Sequence, residues 1–131
     1  MVVGPSGTEH ARATFAPVGG KCHLELSLED GRRVSADEID YFECLLSVRR
    51  QLEHQRRVVI CQGARRDVWP SGMARDMGAG LRAYVLTVGK HPTQDDVVEI
   101  FDPAEQSSVG TVAEQEHHFE EWQSSQRAFN R

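Results

Sequence analysis

The sequence has few cysteines, almost no lysine and no long hydrophobic run. Its three cysteines, Cys22, Cys44 and Cys61, are widely spaced and form no CxxC pair, so we expect reduced core thiols. No apolar run approaches the ~20 residues that a membrane-spanning helix needs. The first residues contain neither a basic segment nor an apolar stretch typical of signal peptides. We therefore expect a cytoplasmic protein that does not enter a membrane.

Composition and charge narrow the class of protein further. The chain has 131 residues, of which 39% are hydrophobic and 27% charged, as expected for one globular domain with its own core. The formal net charge is −5, so binding to nucleic acid or to an anionic membrane surface is not expected. Arginine outnumbers lysine 13 to 2, a bias typical of GC-rich bacterial genes.

The first third of the chain predicts two strands and a turn. Residues 12–18 are compatible with an edge strand. In residues 22–28, cysteine and leucine alternate with polar side chains, which is the pattern of an antiparallel strand with one face in water. Gly31 follows Asp30 and predicts a tight turn.

A long helix is predicted over residues 36–55. Ser35 and Glu38 have the spacing of a capping box, in which each side chain bonds the backbone of the other residue. Acidic residues in the first turn and arginines near the end suit the helix dipole. The apolar stripe at helical spacing includes Ile39, Tyr41, Phe42, Leu45, Leu46, Val48 and Leu52.

The second half of the chain predicts three further strands and a final helix. The strands are expected at 58–61, 81–88 and 97–101, with a helical turn that starts at 102–105 and is stopped by Gly110. Thr111 and Glu114 form a second capping box. It opens a helix that we expect to run to about residue 126, with Val112, Phe119 and Trp122 on its core face.

These elements predict an α+β fold in a single domain. We expect a mostly antiparallel sheet of about five strands, with the long helix and the C-terminal helix packed on one face. Residues 1–10 are expected to form a flexible N-terminus, and residues 11–131 the domain. A parallel βαβ unit around the first helix is the alternative.

Charge is distributed unevenly along the chain. Residues 49–82 carry eight arginines and three acids, whereas residues 95–121 carry nine acids and no lysine or arginine. One interpretation is that the two blocks are solvated and neutralise one another in the fold. The other is an acidic surface, with Asp95, Asp96 and Glu99, that steers a basic partner.

The segment 63–80 is long for a connection between strands, and it contains four glycines and a proline. Ser71 is expected to cap a short helix that ends at Gly78. Free backbone amides and nearby arginines suit a phosphate or carboxylate, although no nucleotide-binding motif is present. Alternatively, the segment is a structured loop in which Trp69 and Met73 form a small core. The candidate binding residues are Arg65, Arg66, Asp67, Trp69, Ser71 and Arg75.

We also expect the two adjacent arginines, Arg65 and Arg66, to differ in role. Neighbouring residues of an extended segment point in opposite directions. One arginine should therefore face a cleft while the other pairs with an acid, Asp67 or Asp76.

The cysteine, histidine and serine residues that could be reactive do not lie in recognised catalytic or metal-binding motifs. Cys61 is the best candidate thiol, but a buried inert thiol is the more common case. His117 and nearby glutamates have the spacing of a two-ligand metal site, without HExxH or a third ligand. Ser71 lacks the GxSxG frame of a serine hydrolase. We therefore predict no catalytic residue, no cofactor and no metal.

Part of the sequence is similar to known chains. The segment GARRDVWPSGMARDMGAGLRAYVL is followed by VVEIFDP and by the helix cap TVAEQ. Together they resemble small uncharacterised bacterial proteins. The likeness covers about half the chain and implies no residue roles.

Two functions from different classes are compatible with these features. The first is a non-catalytic protein-binding module, such as an immunity protein that masks the active site of a basic toxin. The alternative is a small enzyme or ligand-binding protein that holds an anionic small molecule at residues 63–80. A homodimer is compatible with either hypothesis, and nucleic-acid binding is not expected.

Overall fold

The secondary structure mixes short strands with three α-helices. The computed structural model describes residues 2–4 and 7–129. In these residues the helices are α1 (Tyr41–Glu53), α2 (Gly72–Gly78) and α3 (Val112–Phe129). The strands are β1 (Val2–Gly4), β2 (Gly7–Glu9), β3 (Ala11–Val18), β4 (Lys21–Leu28), β5 (Arg33–Glu38), β6 (Val58–Val59), β7 (Val68–Trp69), β8 (Arg82–Val85) and β9 (Val97–Glu99). The predicted α+β class and single domain are confirmed.

The strands are divided among three small antiparallel sheets, whereas we expected one sheet of about five strands. Their orders are β2-β1-β6, β3-β4-β5 and β7-β8-β9. All strand pairs within the described residues are antiparallel, so the alternative with a parallel βαβ unit is wrong. Strands β6 to β9 are only two to four residues long, and they belong to the two smaller sheets.

The β3-β4-β5 sheet and helix α1 together supply about half of the buried core. Leu24 in β4 lies between Phe15 of β3 and Ala36 of β5. The alternating face of β4 is buried, as its period-two pattern predicted, and α1 covers β4 and β5. Helix α3 instead packs on β7 and α1, so the two long helices do not share one sheet face.

The start of the long helix differs from the prediction. Residues 33–38 form β5, with Val34 and Ala36 buried and Ser35 exposed, so the predicted capping box at Ser35 is wrong. Asp40 is the N-cap, and its side chain accepts a hydrogen bond from the Glu43 backbone N–H at 2.8 Å. Pairing of β5 with β4 therefore prevails over the local capping motif. Ile39, which was predicted to lie on the apolar stripe of the helix, is 80% exposed.

The N-terminal segment contains two short strands that were not predicted. Strand β1 pairs with both β2 and β6, and Val2 is fully buried against the core. The residues described there therefore contribute to the β2-β1-β6 sheet. The residue pattern did not predict these strands, because a strand of three residues is too short to show a hydrophobic period.

The remaining elements follow the sequence pattern more closely. The predicted strands at 58–61, 81–88 and 97–101 contain β6, β8 and β9. The helical turn predicted between Asp102 and Gly110 forms at Gln106–Ser108, later than the predicted start at Asp102. The capping box that opens α3 is confirmed, with Thr111 and Glu114 bonding each other's backbone at 2.9 and 3.1 Å. Within the described residues, every helix is too short or too polar to cross a membrane.

Substitution of Leu45 tests whether α1 belongs to the core. Its side chain is 1% exposed. We expect Leu45→Ala to lower the free energy of unfolding by about 3 kcal/mol, since a buried leucine loses its contacts and leaves a cavity. Urea denaturation of both proteins measures this difference. A change near zero would remove α1 from the core.

Candidate functional site

The segment 63–80 is a folded structure built from β7 and α2. Ser71 caps α2 as predicted, its hydroxyl accepting a hydrogen bond from the Ala74 N–H at 3.0 Å. Helix α2 ends at Gly78, but the left-handed residue that terminates it is Ala79, at φ 54°, and not Gly78. Gly80 follows at φ 73°, and a Cβ there would lie 2.8 Å from the Asp40 carboxylate, so this position requires glycine.

Arg65 and Asp67 form a closed pair at the start of this segment. Two guanidinium nitrogens of Arg65 each lie 3.0 Å from a carboxylate oxygen of Asp67. A third donates to the Gln62 side chain at 2.8 Å. Arg65 thus matches the arginine that was expected to pair with an acid.

The other two candidate arginines lie apart and have their own partners. Arg66 is exposed, lies 3.5 Å from Glu114 and donates to the Ser107 carbonyl. Arg75 lies 2.9 Å from Asp40 and 3.1 Å from Glu43.

Arg75 also lies over two aromatic rings. Its guanidinium is 5.3 Å from the centre of the Phe42 ring and 5.7 Å from that of Trp69. The three candidate arginines of the segment therefore do not converge on one position.

Substitution of the two adjacent arginines separates a structural role from a surface role. Arg65→Met is expected to lower the free energy of unfolding by about 1–2 kcal/mol, because it removes a bidentate pair in a half-buried position. Arg66→Met, its matched control, should cost no more than about 0.5 kcal/mol, since its ion pair is exposed. Methionine keeps most of the apolar stem in both. Equal losses in urea denaturation would contradict these assignments.

The two blocks of charge partly neutralise one another in the fold. Ion pairs join Arg50 to Glu116 at 2.8 Å and Arg82 to Glu99 at 2.9 Å. Of the predicted acidic set, Asp96 is also engaged, as it accepts hydrogen bonds from Thr93. Asp95 is exposed and, among the described residues, takes part in no ion pair. The acidic surface is therefore weaker than the sequence alone indicated.

A row of stacked aromatic rings crosses the surface between β7 and α3. The ring centres of Trp69 and Phe119 are 4.7 Å apart with planes 13° from parallel, and those of Phe119 and Trp122 are 6.1 Å apart at 17°. Phe119 and Trp122 are three residues apart in α3, so they share a helix face. All three rings are half-buried.

Buried hydrogen bonds fix the position of this row. The Gln115 side chain is fully buried, and its amide nitrogen donates to the Val68 carbonyl at 2.7 Å. Val68 precedes Trp69, and Gln115 lies one helical turn before Phe119. This bond therefore holds the Trp69 backbone against α3, where the two rings stack.

Three adjoining hollows follow the row, and we call them together the aromatic groove. The central one, the aromatic hollow, has a volume of about 280 Å³. Its main lining residues are Trp69, Pro70, Tyr84, Pro92, Phe119 and Trp122. It shares Ser71 and Tyr84 with the methionine hollow, and Trp69, Phe119 and Gln123 with the acidic hollow.

The two outer hollows differ in chemistry. The methionine hollow, about 330 Å³, is lined by Met73 and Met77 of α2, which are 71% and 83% exposed. The prediction that Met73 packs in a small core with Trp69 is therefore wrong. The acidic hollow, about 270 Å³, is lined by Glu43, Glu116 and Glu120.

The predicted candidates are only partly in the groove. Trp69 and Ser71 line it, whereas Asp95 and Asp96 line none of its hollows and are chain neighbours of Gln94 and Val97, which line the methionine hollow. Tyr84, Pro92, Phe119 and Trp122 were missed as site residues. The one sequence feature that could have indicated the site is its tryptophan content, since Trp69 and Trp122 are the two tryptophans of the chain.

The thiols and histidines lie outside the groove. Burial raises the pKa of Cys44 to about 11 and also raises the pKa of Cys61, so both are poor nucleophiles at neutral pH. His117 lies 2.6 Å from Glu121, and His118 bonds the Leu86 carbonyl at 2.8 Å. The described residues contain no group of three metal-ligating side chains.

No family model matches the chain, and no curated protein matches it significantly.

Proposed function

We propose that this chain is a cytoplasmic, non-catalytic protein-binding module that acts like an immunity protein by covering a basic surface of its partner. The observation that supports it best is the row of half-buried rings, Trp69, Phe119 and Trp122, open to solvent in the aromatic groove. Tryptophan and other aromatic residues dominate the energetics of protein interfaces because they bury large areas with few rotatable bonds.

The acidic residues around the aromatic groove favour a basic partner. Asp95 follows Gln94, which lines the methionine hollow, and Glu120 lines the acidic hollow. The ion pairs in the described part of the chain use neighbouring acids such as Glu99 and Glu116, and leave these two without a partner. Unpaired carboxylates around an apolar centre have the layout of an interface with a charged rim.

The anionic-ligand alternative has less support from the geometry. Arg65, Arg66 and Arg75 have acidic partners of their own and do not converge. A ligand phosphate would have to displace one of these carboxylates. The alternative would gain support if an anionic metabolite raised the melting temperature in a thermal-shift screen while no protein partner was found.

Affinity capture from the source organism, followed by reconstitution with the purified partner, tests the protein-binding function. The complex should form from the two purified chains with fixed stoichiometry, and the surface of the partner at the contact should be basic. If the captured chain shows no binding after purification, or if its contact surface is acidic, the proposed function is wrong.

Charge reversal at Asp95 should then slow association. Of the predicted acids Asp95, Asp96 and Glu99, only Asp95 is free of local contacts within the described residues, so Asp95→Lys changes charge without disturbing the turn. We expect the association rate to fall several-fold at low ionic strength and the difference to vanish near about 1 M salt, where the screening length is about 3 Å. Biolayer interferometry measures the rate.

The matched control for this variant is Glu105→Lys. Glu105 is an exposed acid of the same sequence block, next to Ala104, which lines a hollow that shares no residue with the groove. Its association rate should stay close to that of the wild type. Equal rates for wild type and Asp95→Lys at low salt would exclude this acid from the encounter surface.

A further inference from the structure

We infer that the aromatic groove binds an extended, proline-containing segment of the partner that carries arginine or lysine next to its prolines. This inference rests on the proposed protein-binding function and names the chemistry that the partner presents. It follows from the shape of the groove, from the residues along its wall and from the charges at its ends.

The shape favours an extended chain. The three hollows adjoin through shared side chains, with Tyr84 between the first two and Phe119 between the last two. Each measures about 270–330 Å³, the lower end of the size range of small-molecule pockets, which is roughly 300–1,000 Å³. A row of small hollows accommodates successive side chains of one extended segment better than a single compact ligand.

The wall of the aromatic hollow suits proline. Trp69, Tyr84 and Trp122 offer ring faces and edges, and Pro70 and Pro92 add apolar surface. Polyproline II segments bind to aromatic-lined grooves of this kind, and their backbone is already extended, so little conformational entropy is lost on binding. The Tyr84 hydroxyl and the Gln123 amide at the same wall can donate hydrogen bonds to the free carbonyls of such a segment.

The charges favour a basic segment. Three glutamates and one arginine, Arg50, line the acidic hollow, and Arg50 is paired with Glu116. At the opposite end, Arg82 is paired with Glu99, and Asp95 stays free within the described residues. Arginine or lysine beside the prolines would therefore reach Glu120 at one end or Asp95 at the other.

A phage-displayed library of short random peptides, selected on the full-length protein, tests the inference. The enriched peptides should contain proline together with arginine or lysine. A synthetic copy of the best peptide should change the intrinsic tryptophan fluorescence, because both tryptophans of the chain lie in the groove. Enrichment of peptides without proline and basic residues, or no enrichment at all, would overturn the inference.

Matched variants locate the peptide on the surface. Glu120→Gln should weaken its binding by at least about threefold at low salt, whereas Glu121→Gln, on the next residue of α3, should not, since Glu121 lines none of the three hollows. Trp122→Ala should weaken it about tenfold or more. Tyr84→Phe keeps the ring and removes one hydroxyl, so it tests the wall with little risk to folding. Unchanged affinity in all three groove variants would contradict the assignment.

The peptide selection fails or succeeds independently of partner capture. If the native partner binds the Glu120→Gln and Tyr84→Phe variants as tightly as the wild type, the protein-binding function stands and the groove assignment is wrong. If no partner chain reconstitutes a complex, the proposed function itself is wrong, whatever peptides the groove selects.

Discussion

Replacing Gln115 with leucine is expected to lower the free energy of unfolding by about 3–5 kcal/mol. The amide nitrogen of Gln115 lies 2.7–2.9 Å from the carbonyl oxygens of Gly63, Arg65 and Val68, which share its two N–H donors, and its oxygen accepts from Arg49. Leucine fills a similar volume but leaves the three carbonyls and a buried guanidinium without this partner. Burial already lowers the pKa of Arg49, which shows how costly its charge is there.

Gln123→Leu, about two turns further along α3, provides the control. Gln123 is an exposed residue of α3, and Gln123→Leu should change stability by no more than about 0.5 kcal/mol. Urea denaturation of the three proteins gives the comparison. If Gln115→Leu is as stable as the wild type, Gln115 does not hold the segment 63–68 against α3, and the placement of Trp69 needs another explanation.

Replacing Asp40 with alanine is expected to cost about 3–5 kcal/mol. Asp40 is 2% exposed, caps α1 through the Glu43 N–H and binds Arg75 at 2.9 Å. Alanine removes a cap, worth about 1 kcal/mol, and leaves the half-buried guanidinium of Arg75 with Glu43 alone. Breaking one side of a buried ion pair is among the most destabilising single changes.

Two companion variants separate the contributions at this helix start. Asp40→Asn keeps an oxygen that accepts from the Glu43 N–H but removes the charge, so we expect it to recover part of the loss. Ser35→Ala should have little effect, because Ser35 is an exposed residue of β5 and not the helix cap. Thermal and urea denaturation measure all three. A large loss for Ser35→Ala with a small one for Asp40→Ala would contradict the helix boundary.

The fold could be predicted where a single period dominates the sequence. The alternation in β4 and the capping box at Thr111 each identified an element, because period and cap agree with the tertiary contacts there. The predicted start of α1 was wrong, because Ser35 and Glu38 have the spacing of a capping box but lie in a strand. Residues 33–38 also alternate, and pairing with β4 buries Val34 and Ala36, which a free helix end would leave exposed.

The site was less predictable because its parts are distant in the sequence. Trp69 and Ser71 were identified, since the loop that contains them is long and rich in glycine. Tyr84 is paired with Trp69 across β7 and β8, and the Gln115–Val68 hydrogen bond holds Phe119 and Trp122 of α3 against Trp69. The spacing of Phe119 and Trp122 indicates a helix face packed in the core, and it does not reveal that the face is open to solvent.

Proton–nitrogen correlation spectra of the protein titrated with its purified partner test the proposed interface most directly. The chain has two tryptophans, Trp69 and Trp122, and both line the aromatic hollow, so their two indole N–H signals report on the groove without further assignment. Both signals should shift or broaden until the partner is in equimolar amount and then stop changing. If both stay in place while the complex forms, the partner binds elsewhere and the aromatic groove is not the interface.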